Sequence, residues 1–205
     1  MRPNWRLCLV ADPACCRLPL LDVVAQAIEG GVDVVQLRMK RTTCREFLLI
    51  AQKIKSITDS FSVPFLVNDR VDIAKAAHAS GVHLGQSDLP AECAREILGP
   101  DAMIGLSVHS KTIWPESACV NYIAVGPIFE THSKKDAGPG LGLSAIAGVG
   151  IIAPHVPVVG IGGINSKNAR SVMESGAQCI AVISAICASR DPRGAARELR
   201  KCCVM

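Results

Sequence analysis

Apolar and polar positions along the chain alternate between two periods. Short β-branched runs give way to stretches in which apolar residues recur every three or four positions, and the exchange repeats from end to end. The runs predict strands at Leu7–Ala11, Val32–Leu37, Pro64–Val67, Val82–Leu84, Met103–Leu106, Tyr122–Val125, Val156–Ile161 and Cys179–Ile183. Helices are predicted over Leu20–Glu29, Thr43–Thr58, Val71–Ala79, Ala91–Leu98, Ser144–Ile152, Ser166–Ser175 and Pro192–Cys202. Strand–helix cycles of roughly 25 residues imply a parallel sheet, and eight of them fit a compact α/β fold, the (β/α)8 TIM barrel. An open doubly wound sheet would need a Gly-rich turn after the first strand, where this chain has Asp12-Pro13-Ala14. One cycle is irregular. Between His109 and Asn121 the helical segment is short and contains Pro115, so a shortened fifth helix is expected.

Composition narrows the picture. A chain of 205 residues, 49% hydrophobic and 20% charged, has material for one large core, so disorder is excluded and residues 1–205 are read as a single domain. Aromatics make up only 3%, which leaves Val, Ile, Leu and Ala to fill strands buried on both faces. The net charge is +4, but 22 basic and 18 acidic residues are interspersed, which argues against a nucleic-acid partner. The ten cysteines show no zinc spacing and no C-x-x-C. The first residues, Met1-Arg2-Pro3-Asn4-Trp5-Arg6, lack the apolar run of a secretory signal. Together these point to a reduced cytoplasmic protein whose cysteines mostly serve as small core hydrophobes. The apolar stretch from Leu141 to Ile164 is broken by Pro154, Pro157 and several glycines, so no membrane span is expected.

In a parallel barrel the chemistry gathers at the C-terminal strand ends. Strand two ends Gln36-Leu37-Arg38-Met39-Lys40, and period two puts Gln36, Arg38 and Lys40 on one side, a row suited to a polyanion. Asp69 and Asp88 follow strands three and four and can share Mg²⁺ across phosphate oxygens; capping of the helices that follow is the competing role. Strand five supplies Ser107 and His109. The loop after strand six carries Thr131, Ser133 and Lys134, and its Gly138–Gly142 stretch reads as a mobile active-site loop. Gly162-Gly163 after strand seven and Ile183-Ser184 after strand eight fit a backbone phosphate cradle beside a helix N-terminus. Two anion sites follow from this, one cationic with a metal, one built from backbone.

These residues resemble the thiamine phosphate synthase family over nearly the whole chain. The resemblance rests on Gln36-Leu37-Arg38-x-Lys40, Asn68-Asp69-Arg70-Val71-Asp72-Ile73-Ala74, Gly81-Val82-His83-Leu84-Gly85-Gln86-x-Asp88-Leu89-Pro90, Gly126-Pro127-Ile128-Phe129, Gly162-Gly163-Ile164 and Val182-Ile183-Ser184-Ala185-Ile186. It implies a transferase that joins hydroxymethylpyrimidine diphosphate to thiazole phosphate, two small phosphorylated heterocycles, with Mg²⁺ as cofactor. It further implies that Gln36, Arg38, Lys40 and Asn68 hold the diphosphate with Ser107 and Lys134, that Asp69 and Asp88 take Mg²⁺, and that Thr131, Ser133, Gly163, Ile183 and Ser184 receive the thiazole phosphate. Arg38, Lys40, Ser107 and Lys134 are the expected catalytic contacts. The chain departs from the family pattern at Glu130, usually Pro, and at Ser133, usually Thr, which keeps the hydroxyl. A homo-oligomeric state stays open.

Three other readings compete. The related thiazole tautomerases share the cradle and would use His109 as a proton shuttle, but they need neither the diphosphate set nor Mg²⁺. A silent phosphate-ligand sensor would be expected to lose the two aspartates. A flavin-dependent barrel would use the same cradle for FMN.

Overall fold

The computed structural model describes residues 4–108, 119–131, 133 and 138–203. Eight parallel strands close into a barrel in chain order: β1 Leu7–Ala11, β2 Val34–Leu37, β3 Phe65–Asn68, β4 Gly81–Leu84, β5 Met103–Val108, β6 Tyr122–Val125, β7 Val158–Ile161 and β8 Cys179–Val182. The helices are α1 Leu20–Glu29, α2 Cys44–Ser60, α3 Val71–Ala76, α4 Ala91–Leu98, α5 Ser144–Ile152, α6 Ala169–Glu174, α7 Ser184–Cys187 and α8 Pro192–Cys202. The barrel expected from the sequence is the one found. The expected short helix between His109 and Asn121 lies almost wholly outside the described residues.

Period two sorts each strand between two cores. Leu7, Leu9 and Ala11 of β1 pack outward with the helices, as do Val35 and Leu37 of β2 and Phe65 and Val67 of β3. Cys8, Val10, Val34, Leu66, Tyr122, Ala124, Val159, Cys179 and Ala181 fill the interior. Small and β-branched side chains dominate that interior, as a narrow barrel with few aromatics requires. Of the cysteines, Cys8, Cys179, Cys187 and Cys203 are buried, whereas Cys15, Cys16, Cys93, Cys119 and Cys202 are half-buried and Cys44 is exposed. None of the ten is in a disulfide, and Cys15, Cys16, Cys119 and Cys202 pack against the core that the four buried cysteines help to fill, so most of them serve it as the sequence suggested.

Caps fix several boundaries. Thr43 accepts from the Glu46 N–H at the start of α2, and Asp191 accepts from the Gly194 N–H at the start of α8, where Pro192 opens the helix. The expected helix at Ser166 begins later, at Ala169, because Asn165 and Asn168 form a turn of their own: the Asn165 N–H donates to Asn168 Oδ1 at 2.8 Å. Among the described residues no helix is long and apolar enough to cross a membrane.

Candidate active site

The C-terminal strand ends open into one cavity of about 430 Å³. Gln36, Arg38, Lys40, Asn68, Asp69, Asp88, Ser107, Thr131, Ser133, Gly163, Ile183 and Ser184 all line it. Lys134, expected at the diphosphate, and His109, the alternative proton shuttle, lie outside the described residues. Expected site residues as far apart as Gln36 and Ser184, 148 positions, thus meet in one hollow because the strands close in order.

One rim belongs to β1–β4. Gln36 sits at an inward position of β2, buried, and its Nε2 donates to Asn68 Oδ1 at 2.7 Å. β2 stops at Leu37, so Arg38 and Lys40 extend from the loop rather than from a strand row, yet both reach the cavity. The Arg38 guanidinium pairs with the Asp12 carboxylate at the end of β1. Asp12 is only 4% exposed and also accepts from the Ala14 N–H at 3.0 Å, so a buried, fully engaged carboxylate aims the guanidinium. Nothing in the spacing announced that pair.

Asp69 follows β3 with φ +64°, a left-handed conformation that Asp tolerates better than most residues. Its N–H donates to the His83 carbonyl at 2.8 Å, and Lys40 Nζ lies 2.5 Å from its Oδ2. Asp88 Oδ2 accepts from the Gly85 N–H at 2.7 Å. Burial, and then the neighbouring Asp69 carboxyl, pushes the Asp88 carboxyl above its ordinary value. Neither aspartate caps a helix: the residues at the starts of α3 and α4 are Arg70 and Pro90. The competing capping role therefore falls away. Two carboxylates lining one cavity form a hard-oxygen pair of the kind that holds Mg²⁺ together with waters and phosphate oxygens. The donor set fits that ion. Among the described residues no group of three or more His, Cys, Asp or Glu gathers, as a closed zinc site would require.

The cavity floor contains residues that sequence reasoning passed over. His83, buried in β4, has Nδ1 2.8 Å from the Tyr122 hydroxyl and Nε2 2.9 Å from Ser107 Oγ. Gln86 Nε2 donates to the Ser107 carbonyl at 2.7 Å, so Ser107 is held by side chain and backbone alike. The available signal was a polar residue inside Val82-His83-Leu84, an apolar run of a central strand.

The opposite rim is made by β6–β8. Ser133 Oγ donates to Ser184 Oγ at 3.1 Å, joining the loop after β6 to the first residue of α7. Gly162 and Gly163 have φ +100° and +66°. A Cβ on Gly162 would lie 2.5 Å from Pro127 Cα, and one on Gly163 would lie 2.6 Å from the Glu130 carbonyl oxygen. The pair is therefore glycine for loop-on-loop packing as well as for close approach of a ligand. Ile183 precedes α7, whose first amides lack intrahelical acceptors, and Asn168, at the N-cap of α6, donates from Nδ2 to the Gly163 carbonyl at 3.0 Å. The Leu141 and Gly142 N–H groups donate to the Pro127 and Ile128 carbonyls at 2.8 and 3.0 Å, which anchors the end of the Gly138–Gly142 stretch on the loop after β6.

Fold and mouth define a (β/α)8 barrel with cationic and acidic groups on one rim and hydroxyls and glycines on the other. Comparison with known proteins then specifies it. The family model described as thiamine monophosphate synthase matches residues 7–186. The thiamine-phosphate synthase of Leptospira biflexa is 47% identical over 199 residues, covering 94% of each chain, and that of Desulfitobacterium hafniense is 46% identical over 182 residues, covering 86% of each. The solved thiamine phosphate pyrophosphorylase from Pyrococcus furiosus superposes with a TM-score of 0.87 at 37% identity, over 98% of this chain and 96% of that one. A 3-hexulose-6-phosphate synthase, at 18% identity and TM-score 0.66, shares the fold. The chain belongs to the thiamine monophosphate synthase family and is a transferase of thiamine biosynthesis. The tautomerase reading is not favoured.

Proposed function

We propose that the chain condenses hydroxymethylpyrimidine diphosphate with thiazole phosphate, giving thiamine phosphate and pyrophosphate. The observation that carries this is a single cavity with two chemically different rims. A diphosphate with its extra charge suits Arg38, Lys40, Gln36 and Asn68, with Asp69 and Asp88 available to hold Mg²⁺. A monophosphate suits Thr131, Ser133, Gly163, Ile183 and Ser184, where hydroxyls and backbone amides provide neutral donors.

The chemistry follows from charge. The bond between the pyrimidine methylene and the diphosphate oxygen breaks with its electron pair leaving on oxygen, and the aminopyrimidine spreads the positive charge that remains. The thiazole nitrogen then donates its lone pair to the methylene carbon, so no covalent protein nucleophile is required. Arg38, braced by Asp12, and Lys40 hold the departing oxygens. When bound, Mg²⁺ neutralises further charge on the leaving group. Gln36, Asn68 and Ser107 hold the diphosphate group of the pyrimidine substrate, and the β6–β8 rim orients the thiazole nitrogen toward its methylene carbon. Lys134 is assigned to the diphosphate by the family resemblance.

The test is an end-point assay with both purified substrates. Thiamine phosphate and pyrophosphate formed in equal amounts, dependent on Mg²⁺, is the expected result. Conversion of the thiazole alone, indifferent to Mg²⁺, would instead establish a tautomerase. Binding of substrates without pyrophosphate release would establish a sensor.

A further inference from the structure

From the cavity floor inward, three side chains from neighbouring strands are joined by hydrogen bonds: Ser107 of β5 and His83 of β4, which line the cavity, and Tyr122 of β6 behind them. We infer that Tyr122 fixes the tautomer of His83, and that His83 in turn makes Ser107 a hydrogen-bond donor to the diphosphate substrate. This rests on the synthase reading for the identity of that substrate.

The direction of each bond follows from what surrounds the phenol. Tyr122 is 3% exposed, and among the described residues its hydroxyl makes one hydrogen bond, to His83 Nδ1. Around it lie the Trp5 ring, edge-on at 5.7 Å between centroids, and the thiols of Cys8 and Cys179. Thiols are weak acceptors, and a phenol O–H buried without an acceptor is costly. The O–H therefore donates to Nδ1, which must be the unprotonated ring nitrogen. Nε2 then carries the proton and donates to Ser107 Oγ. With a lone pair of Oγ engaged, the Ser107 O–H is left to donate into the cavity it lines. Had the ring adopted the other tautomer, Ser107 would be an acceptor, ill matched to a diphosphate or an aza-heterocycle.

The chain is shaped to seat this phenol. Gly105 of β5 leaves the space, since a Cβ there would lie 2.0 Å from Tyr122 Cζ. The Tyr122 and His83 rings stack at 5.5 Å with planes 27° apart, which fixes the imidazole plane as well as its proton. His83 and Tyr122 are thus positioning residues acting through Ser107.

The experiment uses the full chain labelled with ¹⁵N-histidine, the His83 signals being assigned by their loss in His83→Gln. The expected spectrum has a protonated Nε2 and a bare Nδ1. Tyr122→Phe keeps the ring packing and removes only the donor. It should release the tautomer and lower kcat on the order of tenfold, with KM for the diphosphate substrate nearly unchanged. Combined with Ser107→Ala, it should cost nothing beyond Ser107→Ala alone. His83→Gln, which retains a donor toward Ser107, should exceed His83→Leu about tenfold in kcat. A protonated Nδ1 in the native protein, or losses that multiply in the double variant, would overturn the inference. A protein that makes no thiamine phosphate would defeat the synthase reading while leaving the tautomer result to stand by itself.

Discussion

Asp69→Asn tests the charge logic of the diphosphate rim with little risk to the fold. Position 69 sits at φ +64°, and Asn shares the tolerance of Asp for that region, so the backbone need not move. The lost ion pair with Lys40 joins side chains that are 50% and 21% exposed, which limits its stabilising effect to about 0–1 kcal/mol. For a domain of this size that corresponds to a fall in Tm of at most roughly 2–4 °C. The effect on the site is much larger. One of two carboxylates available to Mg²⁺ is neutralised, and losing one preorganised charge contact on the leaving group costs on the order of 10²–10³ in rate, or about 2.7–4 kcal/mol. The neighbouring Asp69 carboxyl also helps raise Asp88, so the Asp88 carboxyl should titrate lower in the variant, though burial, the larger cause, remains. The assays are Mg²⁺ dependence of initial rate, Tm by calorimetry, and ¹³C titration of Asp88. A folded variant with unchanged Mg²⁺ half-saturation and unchanged turnover would refute the placement of the metal.

Other outcomes follow from the same geometry. Gly163→Ala places a Cβ 2.6 Å from the Glu130 carbonyl oxygen at a positive φ. It should lower stability by about 1–3 kcal/mol and raise KM for thiazole phosphate more than KM for the diphosphate, and equal changes in both would contradict the cradle. Asp12→Ala strands the Arg38 guanidinium, whose side chain is 15% exposed, and should cost about 3–5 kcal/mol by denaturant unfolding; a loss below about 1 kcal/mol would show the pair to be incidental. The buried thiols set an alkaline limit. Burial raises Cys8 from 9.0 to about 12 and Cys203 from 9.0 to about 11. These groups keep their protons in the folded state while the unfolded chain loses them, so stability is full below pH 9 and falls above it, by up to about 1.4 kcal/mol per pH unit for each thiol until its folded value is reached. Cys8→Ala should flatten that slope in urea unfolding series between pH 8 and pH 11; an unchanged slope would contradict the burial argument.

Most of the architecture was legible because each strand is an apolar run and each helix an amphipathic one, and chain order equals spatial order. The rim residues were legible for a related reason: in a parallel barrel the residues just after a strand must lie at the mouth, so Asn68, Asp69, Asp88, Ser107 and Gly163 could be placed without knowing any contact. What escaped was lateral. Asp12 and Arg38 are 26 positions apart, and His83 and Tyr122 are 39 apart. Register decides such pairs, and period two does not reveal how one strand slides against the next. Boundaries slipped where a polar side chain competed with the helix, as at Asn165 and Asn168 before α6. The pair Gly162-Gly163 was read as room for a ligand, but its packing against Pro127 and Glu130 could be seen only once the β6 and β7 loops were placed side by side.

The central claim is that two unlike phosphate groups occupy opposite rims of one cavity. Crystals grown with thiamine phosphate, pyrophosphate and Mg²⁺ test it most directly. Pyrophosphate against Arg38, Lys40, Asp69 and Asp88, with the thiamine phosphate monoester against Gly163 and Ser184, is the predicted arrangement. Both anions on one rim, or either one bound outside the barrel mouth, would contradict it.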